Sequence, residues 1–514
     1  MARMKPAGKA IIIVLALAAL FGIYKIADRA GLVDKIVPKG KQGKSTASAK
    51  QSAKKGTSTL TLGINTWGGY AGGIYYNKGF APSTTSRFYT DEGIMVDIKL
   101  IDDFKAMRDA WKSGSLDILG LATADSLPFE IVSLMEQKPK VFMQVDWSRG
   151  GDAIVAVRGI TSTSDIIGKK IAVALGTPSH SLLMLWLQAG GVQYSDVQIV
   201  GTDSGIQAAQ NFKAGAVDVA VVWSPDDQDC VKAVPGSSVI FNTKTATNVI
   251  ADIFLVKEDF LLANSDTLQK FMKGWFKGVA EINTNPQAKS EAANLLSQNF
   301  NVDINLANLM IDNARLSTYG DNLVFFGLAS GKGTTGEEVY NKMHRIYASV
   351  GLAPVDIPPW RNITETSLLT PLNLSGSGYE AEGAMTFTAP TPEQAGAPAF
   401  ASKKIQIQYD FGSARLSEDG RMSIDMFFAN TAKEFGNARI RVEGNTDSIG
   451  SRTSNMRLSL ARANSVVNYL VEKYGFDRNR FIIIGNGPDN PTASNDTEQG
   501  RAQNRRTEFE LIRN

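Results

Sequence analysis

The chain has 514 residues, of which 43% are hydrophobic, and its formal net charge is +3. This length is too great for one hydrophobic core and predicts about three globular units. Residues 1–56 hold 12 Lys/Arg and 2 acidic residues, so this arm carries +10 and the rest of the chain −7. The mildly acidic body gives no reason to expect nucleic acid as a partner. The single Cys230 excludes an intrachain disulfide, and with two histidines there is no Cys/His set for a metal.

Residues 1–27 predict a membrane segment. An apolar run from Ala10 to Tyr24, with its flanks, reaches the ~20 residues that a bilayer span needs. Charged Lys25, Asp28 and Arg29 stand where a cleavage site would need small residues, so we favour an uncleaved anchor over a signal peptide. Basic residues after the span outnumber those before it, which by the positive-inside rule opposes export.

Two stretches of biased composition divide the remainder. Residues 28–58 are rich in Lys, Ser, Ala and Gly and predict a basic flexible linker. Residues 366–402 are rich in Pro, Gly and Ala and predict a second linker. They leave a body at 59–365 and a C-terminal domain at 403–514.

The body alternates strand-like and helix-like segments. Hydrophobic periodicity predicts strands at 59–64, 116–121, 169–174, 197–200 and 217–223, and helices at 103–113, 179–190 and 205–214. This rhythm predicts an α/β fold with mostly parallel sheets, arranged as two lobes, with the second lobe at about 158–250. We expect hinge closure around a ligand at two crossovers, near Arg158 and near Asp252.

Several residues follow the predicted strands directly, at the sheet edge where α/β proteins bind small ligands. Trp67, Gly68 and Tyr70 follow the first strand, and Trp223 closes a later one. Thr177, Ser179 and His180 open a helix, whose free N–H groups and dipole suit an anionic oxygen. Asp252 would select a cationic group instead. Either tryptophan is alternatively a half-buried core residue, and His180 is more simply a first-turn helix residue than a catalytic base.

The body resembles the periplasmic substrate-binding proteins of the nitrate/taurine/sulfonate type. Four segments carry the resemblance in the family's order: LGINTWGGYAGG (62–73), AWKSGSLDILGL (110–121), DIIGKKIAVALGTPSHSLLMLWLQAGGV (165–192) and NFKAGAVDVAVVWSPD (211–226). The resemblance implies a two-lobed periplasmic-binding-protein fold, a small-molecule solute and no catalysis. Some relatives of this fold act on pyrimidine precursors, but this chain has no nucleophile motif and no metal set, and we expect no cofactor.

The last 110 residues contain a helix from about 453 to 474, ended by Gly475. Its buried stripe is predicted to be Leu460, Ala463, Val467, Leu470 and Tyr474. Asn455, Ser459 and Arg462 are spaced by four and three, so we place them on another face that is open to a ligand. Asp447 precedes the helix. A carboxylate beside a guanidinium complements a free amino acid end, and the alternative is a plain ion pair between Asp447 and Arg462.

This region resembles the peptidoglycan-binding domain of the OmpA-like family, an α+β domain. The resemblance rests on IQIQYDF (405–411), GNTDSIG (444–450), LSLARA (458–463) and GRAQNRRTEFEL (500–511). It implies that Asp447 and Arg462 hold the diaminopimelate of the peptide stem. Supporting contacts are expected from Asn445, Thr446, Asn455, Leu458, Ser459 and Arg506.

Together these patterns predict a single-pass inner-membrane protein of a Gram-negative-type bacterium. We expect its body to bind a small, anionic solute in the periplasm for ABC-type uptake or sensing, and its end to grip peptidoglycan. Its protein partner would be an ABC permease or another envelope protein. The alternative is a structural protein that links the inner membrane to the cell wall and whose lobed domain binds a protein partner.

Overall fold

A computed structural model describes residues 58–331, 333–407, 409 and 413–514 of the chain. These residues belong to one compact unit, residues 55–514. The predicted membrane anchor and almost all of the basic linker lie outside the described residues. Among the residues that are described, no helix is both long and apolar enough to cross a bilayer.

The first lobe is built on a six-stranded sheet with the order β11-β4-β10-β3-β1-β2. Its strands are β1 (Thr59–Ile64), β2 (Met95–Leu100), β3 (Ile118–Leu119), β4 (Pro139–Ser148), β10 (Ala251–Lys257) and β11 (Ala314–Leu316). β1 pairs in parallel with β2 and β3, whereas β10 and β11 run antiparallel to their neighbours.

The second lobe is built on a five-stranded sheet with the order β7-β6-β8-β5-β9. Its strands are β5 (Asp152–Ala156), β6 (Lys170–Ala174), β7 (Gln198–Thr202), β8 (Val219–Trp223) and β9 (Ser238–Asn242). β6 is parallel to β7 and β8, and β5 is antiparallel to β8 and β9. Both sheets are therefore mixed, and the prediction of mostly parallel sheets was wrong. β5 and β10, which follow the two crossovers, run antiparallel to their neighbours. Hydrophobic periodicity predicts that a strand exists but not the direction in which it runs.

The chain passes between the lobes twice, at residues 149–151 and at residues 243–250. The sequence analysis expected the first crossover near Arg158, and it lies a few residues upstream of that residue. Asp152 and the four residues after it form β5 of the second sheet, directly after the first crossover. The second crossover ends next to Asp252, which is the second residue of β10.

Helices cover both lobes. In the body they are Ala71–Asn77, Arg87–Glu92, Phe104–Lys112, Leu127–Leu134, Pro178–Ala189, Gly205–Lys213, Asp226–Ala233, Glu258–Thr284, Pro286–Phe300, Ile304–Asp312, Tyr319–Phe325 and Gly336–Ser349. The three helices predicted at 103–113, 179–190 and 205–214 are among them. The segment predicted as the second linker lies along the body, where Gly320 N donates to Tyr379 O (2.7 Å) and Phe387 is buried.

The C-terminal region is a four-stranded sheet with the order β12-β15-β13-β14, covered by helices. Its elements are β12 (Ala401–Ile405), β13 (Ala438–Asn445), β14 (Phe481–Gly487), β15 (Thr507–Arg513) and the helices Pro392–Ala395, Glu418–Ile424, Asn430–Glu434, Arg452–Tyr474 and Glu498–Asn504. A π-helical turn at Asp425–Ala429 joins two of these helices.

The helix Arg452–Tyr474 is confirmed, and it ends where Gly475 adopts a left-handed conformation with φ 66°. Ala463, Val467 and Leu470 of the predicted stripe are buried, but Leu460 is 44% exposed. Ser459 is buried instead, because its hydroxyl accepts a hydrogen bond from Gly487 N (2.9 Å). The helix therefore buries the polar Ser459 and exposes the apolar Leu460, which is the reverse of what apolar periodicity predicts.

Candidate functional site

A cleft of about 570 Å³ opens between the two sheets. It is lined where β1, β2, β3, β7 and β8 end and where the two crossovers pass. Ligands of α/β proteins bind at this edge because the loops after parallel strands converge there. The body therefore has a candidate ligand site where the sequence pattern predicted one.

Aromatic rings from both lobes line this cleft. Trp67 follows β1, and its indole N–H donates to Asp146 Oδ2 (3.1 Å). Trp223 ends β8, and its ring lies 6.3 Å from that of Phe104, centroid to centroid, with 29° between the planes. Both tryptophans are half-buried. Phe104 begins the helix Phe104–Lys112 and was not singled out from the sequence as a site residue.

The predicted cleft residues separate into two groups. Trp67, Trp223 and Asp252 line the cleft. Gly68, Tyr70, Thr177, Ser179 and His180 are not in its lining and are buried.

The buried group has structural partners. A Cβ at Gly68 would lie 2.1 Å from Met310 O, so this residue allows close backbone packing. The Tyr70 hydroxyl lies 2.8 Å from both Asn65 Oδ1 and Gly120 O. His180 Nδ1 accepts from Gly176 N (3.2 Å), and burial lowers the pKa of the imidazole to about 4, which keeps it neutral.

The helix start at Pro178 does not offer free hydroxyls for an anion. Thr177 Oγ1 donates to Ala174 O (2.8 Å), and Ser179 Oγ donates to Asp152 Oδ1 (3.2 Å). Asp152 is itself buried, and a carboxylate at this position repels an anionic oxygen. The two hydroxyls of the oxyanion site expected at Thr177 and Ser179 therefore donate to groups within the protein.

Buried carboxylates surround the cleft floor. Burial, and the neighbouring aspartates, raise the pKa of Asp252 well above its ordinary value. Burial likewise raises the pKa of Asp125 to about 7 and that of Asp152 to about 6. Sequence reasoning missed Asp125, Asp146 and Asp152, because a lone Asp beside an apolar strand carries no pattern of its own.

A second pocket, of about 320 Å³, lies on the C-terminal domain. Three arginines line it, Arg462 from the long helix and Arg505 and Arg506 from the two residues between the helix Glu498–Asn504 and β15. Arg462 lies over the Tyr409 ring, 4.7 Å from its centroid, and donates to Ser413 O (3.3 Å). Among the described residues it forms no ion pair, and a guanidinium is a side chain that can bind a carboxylate through two hydrogen bonds.

Asp447 does not pair with Arg462. Its Oδ2 accepts from Arg505 Nη1 (2.8 Å), and its Oδ1 accepts from Ile449 N (3.0 Å). Asp447 still lies close enough to Arg462 to raise its pKa, against the larger lowering effect of burial. Arg505 was not singled out from the sequence, although it lies inside the NRRTE signal.

The remaining predicted residues hold the pocket's frame. Asn455 Nδ2 donates to Asp447 O (3.2 Å) and to Ile449 O (3.0 Å), which fixes the loop that carries Asp447. Asn445 lines the pocket, and its N–H donates to Arg506 O (2.9 Å). Thr446, Leu458 and Ser459 lie outside the lining, and of these Thr446 and Ser459 are buried and Leu458 is half-buried. Arg506 lines the pocket but pairs with Glu508 (2.6 Å).

Two family models match the chain: NMT1/THI5 like over residues 84–289, and the OmpA family over residues 408–505. Outer membrane protein A of Bordetella avium is 46% identical over 104 residues, which cover 20% of this chain and 53% of that protein. Peptidoglycan-binding protein ArfA of Mycobacterium bovis is 42% identical over 81 residues, 16% of this chain and 24% of that protein.

For the body, the taurine-binding periplasmic protein of Escherichia coli is 23% identical over 192 residues, 37% of this chain and 58% of that protein. The crystal structure of the aliphatic sulphonate-binding protein SsuA from Escherichia coli superposes with a TM-score of 0.47 and 15% identity, covering 60% of this chain and 97% of that one. The chain thus spans about half the length, or less, of most curated relatives that it matches. It carries a segment of the NMT1/THI5-like family within its two-lobed body and an OmpA-family domain after it.

Proposed function

We propose that the two-lobed body is a solute receptor that closes around a small molecule. The cleft of about 570 Å³ between two separately built sheets carries this proposal. Only the two crossovers link the sheets along the chain, so rotation about residues 149–151 and 243–250 would open and close the cleft. The match to the NMT1/THI5-like family supports the same function, and we expect binding without catalysis.

The C-terminal domain would attach this receptor to peptidoglycan. Arg462 offers a guanidinium to the carboxylate of the stem's diaminopimelate, and Asp447 offers a carboxylate to its ammonium group. The 320 Å³ pocket beside them has room for such an amino acid end. Arg505, which already pairs with Asp447, would orient this carboxylate.

Residues 1–27 would anchor the chain in the inner membrane, with the body in the periplasm. A receptor held both by the membrane and by the wall cannot diffuse among many transporters. It would therefore serve one fixed permease of the ABC type, or sense its solute. These assignments rest on the apolar run in the sequence and on the two family matches.

Wall attachment is tested by sedimenting the purified full-length protein with peptidoglycan. Arg462→Ala should weaken co-sedimentation at least tenfold, because it removes a charge-assisted contact to the ligand. Arg478→Ala is the matched control, since Arg478 is exposed on the same domain and donates to Asn468 Oδ1 outside the pocket. Equal sedimentation of both variants and the unchanged protein would refute the assignment.

Solute capture is tested by native mass spectrometry and a thermal-shift screen of the full-length protein. A ligand at 100 times its dissociation constant should stabilise the body by ~2.7 kcal/mol, which is visible as a melting shift. If no small molecule copurifies or shifts the melting temperature, the receptor function fails. The structural alternative, in which the lobed domain binds a protein, would then be preferred.

A further inference from the structure

The charge on the cleft wall is of one sign. Every charged residue in its lining is an aspartate, and no lysine or arginine belongs to the lining. The lining aspartates are Asp102, Asp103, Asp152, Asp203, Asp226 and Asp252. Because like charges in a partly closed space raise the local potential, an anion would be repelled from this cleft and a cation attracted.

Surface acids alone would not define a site, but Asp252 is different. Asp252 lines the cleft and is only 9% exposed. No described residue forms an ion pair with its carboxylate, and the Tyr70 hydroxyl, with which it shares a hydrogen bond, carries no charge. Asp252 is therefore a buried carboxylate that faces the cleft without a counter-charge.

Two further carboxylates behind the lining are also short of partners. Asp146 Oδ1 and Asp125 Oδ2 are buried and have no hydrogen-bond partner among the described residues. Both act electrostatically on Asp252, as does Asp152. Burial holds these acids towards their neutral form, and a cation bound beside them would let them ionise and form charge-assisted contacts.

The aromatic rings fit the same kind of ligand. Trp67 comes from the first lobe, Trp223 from the second, and Phe104 lies beside Trp223. An aromatic face attracts a cation through its quadrupole, most strongly for tryptophan and in a desolvated site. The rest of the wall includes apolar residues such as Leu121 and Ile206, which can accept a hydrocarbon part.

We propose that the solute is a small organic ammonium compound, whose charged nitrogen lies between the Asp252 and Asp152 carboxylates and whose apolar part contacts Trp67 and Trp223. This ligand class rests on the proposed receptor function and makes it more specific. It differs from the anionic solute that the helix start at Pro178 had suggested. Closure of the lobes would bring an aromatic ring and a carboxylate from each side onto the ligand.

Isothermal titration calorimetry of the full-length protein with four-carbon probes tests the proposal. The probes are butylammonium and tetramethylammonium, against butan-1-ol, butanoate and butane-1-sulfonate. We expect an ammonium probe to bind at least tenfold more tightly than any neutral or anionic probe. A molecule extracted from the purified protein and identified by mass spectrometry should likewise carry an ammonium group.

The variant Asp252→Asn removes a carboxyl group that can ionise beside a bound ammonium, with little change of shape, and should weaken ammonium binding at least tenfold. Asp266→Asn is the control, because Asp266 lies on the helix Glu258–Thr284 outside the cleft and is 79% exposed at its side chain. Circular dichroism of both variants checks the fold, and if Asp252→Asn fails to fold, the ranking of the probes on the unchanged protein decides alone.

Tighter binding of a neutral or anionic probe, or an extracted ligand without a cationic group, would overturn the ammonium proposal and leave the receptor function standing. Binding of no probe together with no extracted small molecule would refute both. Ammonium binding that Asp252→Asn leaves unchanged would overturn the role of Asp252.

Discussion

At the scale of single residues, the buried aspartates of the cleft reduce the stability of the empty protein. The pKa of Asp152 is raised to about 6 by burial, so the native state holds its proton more tightly than the unfolded chain does. The native state then binds more protons between about pH 4 and pH 6, and stability falls as the pH rises through this range. A binding site is thus maintained at a cost to the free energy of unfolding.

The first prediction concerns Asp152→Asn. This amide cannot ionise, and its oxygen can still accept the hydrogen bond from Ser179. Its free energy of unfolding at pH 7.5 should exceed that of the unchanged protein by up to about 3 kcal/mol, and the difference should vanish below about pH 4. Urea unfolding at both pH values measures it.

The difference between the two proteins is the informative quantity, because His180 acts in the opposite direction. The pKa of His180 is lowered by burial, so this imidazole contributes stability that is lost as the pH falls. Because His180 contributes equally in the variant and in the unchanged protein, its contribution cancels in the difference between their free energies of unfolding. A variant that is less stable than the unchanged protein at pH 7.5 would show that Asp152 is not under strain from burial.

A second prediction concerns Asp447 and separates its effect on ligand binding from its effect on folding. Asp447→Asn should weaken peptidoglycan binding at least tenfold, since it removes the partner of the ligand's ammonium group and the ion pair with Arg505. The domain should stay folded, because Asn455 holds the loop through the backbone oxygens of residues 447 and 449. Sedimentation with peptidoglycan and circular dichroism measure the two effects. Unchanged sedimentation would remove Asp447 from the site.

At the scale of elements, a buried polar residue joins the helix Arg452–Tyr474 to the sheet. Ser459 is fully buried, and its hydroxyl accepts from Gly487 N, at the end of β14. The backbone of this helix also approaches β13 so closely that a Cβ at Gly444 would lie 2.2 Å from Ser459 O. The serine satisfies a buried backbone N–H at a helix-to-sheet contact.

The third prediction follows from this contact. Ser459→Ala leaves the Gly487 N–H buried without an acceptor, which should cost ~1–3 kcal/mol of stability. Peptidoglycan affinity should stay within about twofold, because the hydroxyl does not line the pocket. Chemical denaturation and sedimentation give the two quantities. Loss of binding without loss of stability would return Ser459 to the set of ligand contacts expected from its helical spacing.

Periodicity predicted this helix and its end at Gly475, because a regular apolar spacing and a left-handed glycine cap are local features. It could not predict which of Leu460 and Ser459 is buried, since this depends on where β14 passes. The same limit applied to the cleft. Trp67, Trp223 and Asp252 lie beside strand ends that are visible in the sequence, whereas Asp125 and Asp146 reach the cluster only through the tertiary arrangement of the lobes.

At the scale of the whole molecule, the C-terminal domain is packed onto the body. Phe400 and Phe435 contact Phe241 of β9, with ring centroids 5.5 and 5.9 Å apart. Trp186 Nε1 donates to Phe400 O (3.2 Å). One hydrophobic cluster therefore continues from the second lobe into the C-terminal sheet, which the composition of residues 366–402 did not suggest.

This packing also reaches the second crossover. Asn248 N donates to Glu434 O (3.1 Å), and Asn248 Nδ2 donates to Lys433 O (3.0 Å). Glu434 is buried and pairs with Lys342 of the helix Gly336–Ser349 (2.5 Å). The C-terminal domain thus contacts the segment about which the lobes would rotate.

The last prediction uses the buried pair to test this arrangement. Because body and C-terminal domain share a core, residues 58–514 should unfold in one cooperative transition. Glu434→Gln leaves the Lys342 ammonium buried without its partner. This should lower the free energy that holds the two regions together by several kcal/mol, because the pair lies at their interface. Calorimetry should then show two separated transitions. The control Lys342→Met with Glu434→Gln removes both charges and should restore most of the cooperativity. Two transitions already in the unchanged protein would mean that the regions fold independently, and wall attachment would then have no contact through which to influence the cleft.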